Sequence, residues 1–105
     1  MKYKLTTNFI IQNNKKLYQI QSLKIFSKVE VGELGGYIES EKNLSQEGDC
    51  WISNNATVYD DATVYDEAIV CDNATVYGRA KVYGDCWICG DDVVCDDAKV
   101  YGMKI

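Results

Sequence analysis

The sequence predicts an all-β protein: a short triangular β-helix of about three coils, preceded by an N-terminal β-hairpin. The main signal is a repeat of six residues that runs through eight consecutive units, from Ala56 to Met103. A second signal is the return of Cys50-Trp51-Ile52 as Cys86-Trp87-Ile88, two coils later if a coil has three six-residue sides. The third is the stretch before the repeats, where strand-forming residues lie on both sides of a polar turn. A short fixed repeat predicts stacking because each unit has to bury its apolar side against its neighbours.

The hairpin is the first predicted element. Residues 8–12 and 17–21 contain the β-branched and aromatic residues that are typical of strands, and residues 13–16 between them are Asn and Lys. Residues 23–26 continue the apolar pattern and are expected to extend the second strand.

The hairpin and the repeats divide one compact domain into two parts. Residues 1–42 are predicted to form a capping segment, and residues 43–105 are predicted to form the β-helix. Gly32, Gly35 and Gly36 indicate an irregular passage between them. No long helix is expected in either part.

Within a six-residue unit, strand geometry determines where each side chain points. Successive side chains of a strand lie on opposite faces, so Ala56 and Val58 are predicted to point inward and Thr57 and Tyr59 outward. Asp60-Asp61 is then the corner, because Asp tolerates turn conformations and bonds to nearby backbone. The other Asp pairs, Asp91-Asp92 and Asp96-Asp97, receive the same interpretation in preference to calcium binding, and no metal site is predicted.

The last coil departs from the pattern. Asp92 stands where a small residue is expected, and Lys104 falls on the equivalent inward position of the next unit. These charges are interpreted either as devices that end the stack or as ordinary decay of the repeat at a terminus.

One outward face is apolar enough to predict a contact surface. Trp51, Ile69 and Trp87 stack on successive coils, and Cys71 and Cys89 lie beside them. Contiguous apolar stripes of this kind are typical of interfaces. The expectation is that either the N-terminal segment or another subunit covers this face.

A second outward face combines aromatic and basic residues. It carries Tyr65, Tyr83, Tyr101, Lys81 and Lys99, and Arg79 is added to them as a further candidate cation. Aromatic rings beside cations suit a nucleotide ligand, and these six residues are the candidate ligand-binding set. The alternative, which is the simpler interpretation, is a tyrosine ladder that stabilises the sheet or packs on another subunit.

The five cysteines are expected to be reduced thiols. Cys86 and Cys89 have the C-x-x-C spacing, but three positions along a strand place their sulfurs on opposite sides, so neither a redox motif nor a zinc site is predicted. Cys71 and Cys89 stack on neighbouring coils, and oxidation would bridge them. The chain contains no His, and no cofactor is expected.

Formal charge is divided unevenly between the two parts. Residues 1–42 contain seven Lys and four Glu, a charge of +3, whereas residues 43–105 contain twelve acidic and four basic residues, a charge of −8. An acidic repeat argues against direct nucleic-acid binding and leaves basic proteins as partners. No stretch is apolar enough to span a membrane. The N-terminus lacks an apolar signal core, so a cytoplasmic location is expected.

The repeats resemble those of the hexapeptide-repeat, left-handed β-helix superfamily, in which an aliphatic residue recurs every sixth position and a small residue follows four places later, as Val58 and Ala62 do here. The Gly that usually follows the aliphatic residue is Tyr or Cys in this chain, and Gly or Asp comes one place later. That variation, together with residues 17–23, 32–39 and 43–52, is similar to a subgroup of phage and prophage proteins with Val-Tyr-Gly/Asp-x-Ala repeats. The resemblance implies a left-handed β-helix and a trimer; a dimer through faces or C-terminal ends is the alternative.

The function expected from these observations is non-enzymatic. Acyltransferases of the superfamily use a His as general base, which this chain lacks. We expect a phage-derived binding protein that acts as an oligomer and inhibits a host defence factor, either by protein binding or by sequestering a nucleotide. A small acyltransferase and a purely structural, self-assembling protein are the alternatives.

Overall fold

The computed structural model of the protein describes residues 1–102. The regular structure of this part of the chain is twelve strands, most of them short, with one 3₁₀ turn at Glu41–Asn43. In chain order the strands are β1 (Tyr3–Gln12), β2 (Lys15–Ser22), β3 (Leu34–Ile38), β4 (Trp51–Ile52), β5 (Thr57–Val58), β6 (Thr63–Val64), β7 (Ile69–Val70), β8 (Thr75–Val76), β9 (Lys81–Gly84), β10 (Trp87–Ile88), β11 (Val93–Val94) and β12 (Lys99–Gly102).

The strands form three sheets, one for each face of a triangular solenoid. Their orders are β1-β2-β3-β5-β8-β11, β4-β7-β10 and β6-β9-β12. Within the solenoid all pairs are parallel, and Thr57 pairs with Thr75, which pairs with Val93. Each partner therefore lies 18 residues further on, which confirms the coil length that the repeat predicts. The all-β fold class and the β-helix are likewise confirmed.

The solenoid has about four turns, because a further turn precedes the predicted coils. Strand β3 pairs in parallel with β5, and Leu44 forms an isolated parallel bridge with Val64. The irregular passage predicted at Gly35 and Gly36 is therefore wrong, since both lie within β3. A Cβ atom at Gly36 would lie 2.5 Å from the carbonyl oxygen of Ala56, so these glycines permit a close approach of backbones.

The N-terminal hairpin is confirmed and continues one face of the solenoid. Its strands pair antiparallel, and β2 pairs antiparallel with β3. Asn13 and Asn14 both have positive φ, as a two-residue hairpin turn requires. The predicted extension of the second strand over residues 23–26 is wrong. Strand β2 ends at Ser22, and Phe26 instead bridges to Val29 within a loop.

The predicted inward residues form the core. The aliphatic rows and most of the small residues beside them are fully buried, including Val58, Val64, Val70, Val76 and Val82. Burial decreases toward the end of the described chain, where Ala98 and Asp92 are exposed. Lys104 lies outside the described residues.

The corners confirm the turn interpretation of the Asp residues. The first corner residue has positive φ in every unit before the last, for example 59° at Asp60 and 57° at Asp72. Their carboxylates also accept backbone hydrogen bonds from the next coil: Asp60 from the N–H of Gly78 at 3.1 Å, and Asp72 from that of Gly90 at 3.0 Å. The corner Asp residues thus join neighbouring coils. Among the described residues, no helix has the length and apolar character needed to cross a bilayer.

Candidate functional site

The outward face that carries Trp51, Ile69 and Trp87 is named the tryptophan face below. It is covered at one end and open at the other. Trp51 is 2% exposed, since the ring of Phe26 packs edge-on at a centroid distance of 5.3 Å and that of Tyr3 at 6.4 Å. Trp87, two coils further on, is 70% exposed. The N-terminal segment therefore covers Trp51, and Trp51 has to be removed from the predicted intersubunit surface. Ile69, between the two, is half-buried.

The loop at residues 23–33 makes the wall that partly covers this face. Its two ends are held at the end of β2, where the N–H of Gly32 donates to the carbonyl oxygen of Ser22 at 3.0 Å and that of Ser22 donates to Glu33 at 2.9 Å. Phe26 and Val29 exchange backbone hydrogen bonds of 3.1 and 2.8 Å. The wall is thus a hydrogen-bonded loop, and its apolar residues pack onto Trp51.

A groove of about 510 Å³ lies between this loop and the solenoid. Trp51, Ile69 and Trp87 form its apolar floor, in register on β4, β7 and β10. The indole N–H of Trp51 is buried and has no hydrogen-bond acceptor among the described residues. The groove is named the tryptophan groove below.

Carboxylates line one side of the tryptophan groove. Asp49, Glu67 and Asp85 follow each other at intervals of one coil, and Glu33 lines the groove from the loop. None of the four has a cation within 4.0 Å in the part of the chain that the structure describes; the ion pairs there involve other carboxylates. Lys28 also lines the groove, so four acidic residues and one basic residue surround the apolar floor.

A disulfide joins two coils at the groove. Cys71, which lines the groove, is bonded to Cys89 on the next coil, with a Cα–Cα distance of 4.7 Å. The expectation that all five cysteines are reduced is therefore wrong at this pair, because in-register stacking brings the two sulfurs into bonding distance. Asp72 lies near both sulfurs, but bonded sulfurs are not thiolate ligands for a metal.

The other cysteines follow their predicted positions. Cys50 and Cys86 are buried, and Cys95 is half-buried. Cys86 points inward and Cys89 outward, as the spacing on the strand predicts. Burial raises the pKa of the Cys86 thiol, which favours its protonated form and fits a core residue.

The tyrosines of the second face stack directly on one another. The rings of Tyr65 and Tyr83 lie 5.0 Å apart at an interplanar angle of 5°, and those of Tyr83 and Tyr101 lie 5.3 Å apart at 19°. The rings therefore form a continuous ladder in which the facing surfaces are already occupied. Among residues 1–102, this arrangement leaves the edges of the rings and the outer face of Tyr101 for a ligand.

The cations of this face have different environments. Lys81 and Lys99 pair in register on β9 and β12, and neither makes an ion pair within the described chain. Arg79 lies at a corner, where its guanidinium holds the carboxylate of Asp97 through contacts of 2.7 and 3.0 Å. A depression of about 360 Å³ lies beside Lys81 and Tyr65. The structure thus places five of the six candidate ligand-binding residues on one face. The sixth, Arg79, lies at a corner and pairs with Asp97.

The stacked coils and the six-residue repeat define a protein of the β-helix repeat class. A sequence model of the YdcK β-solenoid repeat matches residues 52–66, a small part of the chain, and shows a similarity of repeat type. The comparison with curated proteins finds no match to this chain.

The acidic side of the tryptophan groove is the feature that sequence reasoning missed. Its signal was present, since Asp49, Glu67 and Asp85 are 18 residues apart and each precedes a groove residue by two positions. The opposite wall carried no such signal. Residues 23–33 have no repeat, and the pattern there favoured a strand over a loop.

Proposed function

We propose that the protein is a non-enzymatic binding protein that contacts a basic region of another protein with the acidic side of its solenoid. The observation that carries this proposal is the column of Asp49, Glu67 and Asp85, which makes no ion pair within 4.0 Å in the described chain and lies beside the exposed indole of Trp87. Unpaired carboxylates next to exposed apolar surface favour a partner that is both basic and apolar.

The rigid scaffold supports this use. The column is built on consecutive coils whose strands pair in register, so its spacing is fixed before a partner arrives. Preorganised charges lose little freedom on binding and raise the rate of encounter with an oppositely charged surface. The uneven charge of the chain, −8 over residues 43–105, acts in the same direction.

The kind of partner follows from the resemblance of the repeats to phage proteins. We propose that the partner is a bacterial host factor, such as a defence protein, that the encounter takes place in the host cytoplasm, and that the protein acts as an oligomer. Light scattering measures the oligomeric state directly. A monomer at micromolar concentration would contradict the oligomer and leave the binding proposal in place.

The experiment for the binding proposal compares two triple variants in capture from bacterial lysate, followed by titration with the purified captured protein. The first, Asp49→Asn with Glu67→Gln and Asp85→Asn, removes three charges beside the groove. The control, Asp91→Asn with Asp92→Asn and Asp96→Asn, removes three charges at other positions.

Wild type and the control are expected to bind the captured protein with an affinity that falls as salt rises, and the groove variant is expected to lose most of that affinity. Failure of wild type to bind any basic protein, or equal binding by both variants, contradicts the proposal.

A nucleotide ligand is the second candidate function, and one observation favours it. Lys81 and Lys99 lie in register beside the tyrosine ladder without ion pairs in the described residues, which is a suitable arrangement for a phosphate. A panel of mono-, di- and cyclic nucleotides tests it by thermal stabilisation. Stabilisation that disappears in Lys81→Gln would support this candidate, and no stabilisation by any nucleotide would remove it.

Acyl transfer remains the enzymatic alternative because of the superfamily resemblance. The chain has no His to act as the base that such enzymes use. Coenzyme A at millimolar concentration is expected to leave the melting temperature unchanged. A clear stabilisation would favour the transferase over the binding protein.

A further inference from the structure

We infer that the tryptophan groove binds a short segment of the partner protein that presents an arginine beside an apolar side chain. The guanidinium would lie on the exposed indole of Trp87 and pair with the carboxylates of Glu67 and Asp85, while the apolar neighbour packs on Ile69. This inference rests on the proposed function and adds the site and the chemistry of the occupant.

The indole of Trp87 supplies the platform. It is 70% exposed, although the equivalent indole two coils earlier, that of Trp51, is covered by two aromatic rings of the N-terminal segment. The loop at residues 23–33 covers Trp51 on the first coil of this face. Trp87, two coils further on, has no equivalent covering residue among the described residues. A large indole on a rigid strand attracts a cation through its ring face.

Charge complementarity identifies the cation. Asp49, Glu67, Asp85 and Glu33 line the groove together with a single Lys28, and no ion pair neutralises the four carboxylates in the described chain. A neutral or acidic segment would leave these carboxylates partly desolvated and unpaired, which costs free energy. A basic segment gains a partner for each of them.

Arginine fits this geometry better than lysine. Its guanidinium is planar, so it stacks on an indole and still donates from its edge to carboxylates at the same level. Glu67 and Asp85 lie one coil apart along the side of the floor, and the floor residues Ile69 and Trp87 are in register beside them. Lysine carries a point charge that has to choose between the ring face and the carboxylates.

The dimensions of the groove suit a short peptide segment. Its volume of about 510 Å³ is within the range of sites that enclose a few side chains. The Cys71–Cys89 disulfide joins the coils at the floor, so the site is preorganised and loses little freedom on binding.

The test uses three short capped peptides in which leucine alternates with arginine, with lysine or with citrulline. Citrulline keeps the shape of arginine without its charge. Calorimetry at low salt is expected to show binding of the arginine peptide, several-fold weaker binding of the lysine peptide, and at least tenfold weaker binding of the citrulline peptide. Trp87→Ala is expected to reduce arginine-peptide affinity at least tenfold, Trp87→Phe only a few-fold, and Asp85→Asn several-fold.

Asp91→Asn is the matched control, because it removes the same charge from an exposed corner outside the groove. Equal affinities for the arginine and citrulline peptides, or equal losses in Asp85→Asn and Asp91→Asn, would overturn the inference. So would a homo-oligomer that Trp87→Ala converts to monomer, since the occupant would then be a second copy of this chain.

A captured basic protein that binds wild type and Trp87→Ala equally would show that the tryptophan groove is not the binding site, while leaving the proposed function intact. The absence of any basic partner would overturn the proposed function itself.

Discussion

The ammonium group of Lys2 donates a 2.7 Å hydrogen bond to the backbone carbonyl oxygen of Cys50 and lies 3.3 Å from the Cys50 sulfur. Lys2 is 1% exposed, and its Nζ also donates to the carbonyl of Gly48 at 3.3 Å and lies 5.0 Å from the centre of the Phe26 ring. Burial lowers the pKa of Lys2, and the nearby Cys50 and Asp49 oppose that change. The cation therefore fastens the start of β1 to the coil that carries Trp51.

Substituting Lys2 is expected to weaken this attachment. Lys2→Met keeps the length of the side chain but leaves the buried carbonyl of Cys50 and the more exposed carbonyl of Gly48 without their donor, which costs about 1–3 kcal/mol. Lys4→Met, at an exposed position on β1, serves as the control and should change stability by less than about 0.5 kcal/mol. Urea unfolding of both variants measures the difference, and equal stabilities would contradict the structural role of Lys2.

Tyr3 makes the stability of the protein sensitive to alkaline pH. Its hydroxyl is buried and donates to the carbonyl of Leu44, and burial raises the pKa of Tyr3 well above its usual value. In the unfolded chain Tyr3 loses its proton near pH 10, whereas the folded chain keeps it. Its contribution is thus complete below pH 10 and falls above it, by at most about 1.4 kcal/mol per pH unit.

The variant Tyr3→Phe separates this effect from other alkaline titrations. It is expected to be about 1–2 kcal/mol less stable than wild type at pH 8, because the Leu44 carbonyl loses its donor. The difference from wild type should shrink above pH 10. A difference that stays constant from pH 8 to pH 11 in denaturant titrations would show that Tyr3 ionises normally in the folded protein.

Gly48 and Gly90 provide a matched pair for the cost of a side chain at a corner. Both have positive φ, 73° and 66°, so Ala is strained at either position by about 1–2 kcal/mol. A Cβ atom at Gly48 would lie 2.6 Å from the carbonyl oxygen of Asp66, whereas one at Gly90 meets no described atom within 4 Å. Gly48→Ala is therefore expected to cost about 2 kcal/mol more than Gly90→Ala. Similar melting temperatures for the two variants would contradict the close stacking of the first coils.

The repeat predicted the solenoid well because a single pattern encodes the geometry of many residues. Once Ala56 and Val58 are assigned inward, the 18-residue coil places their equivalents throughout the core, and the corner Asp residues follow from their tolerance of positive φ. The stacking of the tyrosines and the opposite directions of Cys86 and Cys89 follow from the same pattern.

The N-terminal segment was less predictable because its structure depends on tertiary contacts. Phe26 is an aromatic residue of the kind that favours strands. It nevertheless lies outside β2, where its ring packs on Trp51. Lys2 is charged, which predicts an exposed side chain. It is buried because backbone carbonyls of a distant coil accept its hydrogen bonds. Gly35 and Gly36 resemble loop residues in sequence, whereas the close backbone of the solenoid makes them strand residues.

The Cys71–Cys89 disulfide is expected to stabilise the β-helix. It closes a loop of 18 residues, which in chain-entropy terms contributes about 3 kcal/mol. Reduction should therefore lower the melting temperature of wild type, whereas Cys71→Ser should melt at the lower temperature with or without reductant. Cys95→Ser, which removes a free thiol, is the control and should behave as wild type. Five reactive thiols in the unreduced, denatured protein, instead of three, would show that the bridge is absent.

The tyrosine ladder is expected to contribute unequally along its length. Tyr83 stacks on both Tyr65 and Tyr101, whereas Tyr101 stacks on Tyr83 alone among the described residues. At about 0.5–1.5 kcal/mol for each aromatic pair, Tyr83→Ala should cost roughly twice as much as Tyr101→Ala.

The double variant tests whether the ladder is the cause. Because Tyr83→Ala already removes the only described stacking partner of Tyr101, adding Tyr101→Ala should cost less than Tyr101→Ala does in wild type. Denaturant unfolding of the four proteins gives this coupling energy. Strictly additive losses would mean that the rings stabilise the sheet through burial on their own strands and that the ladder adds nothing.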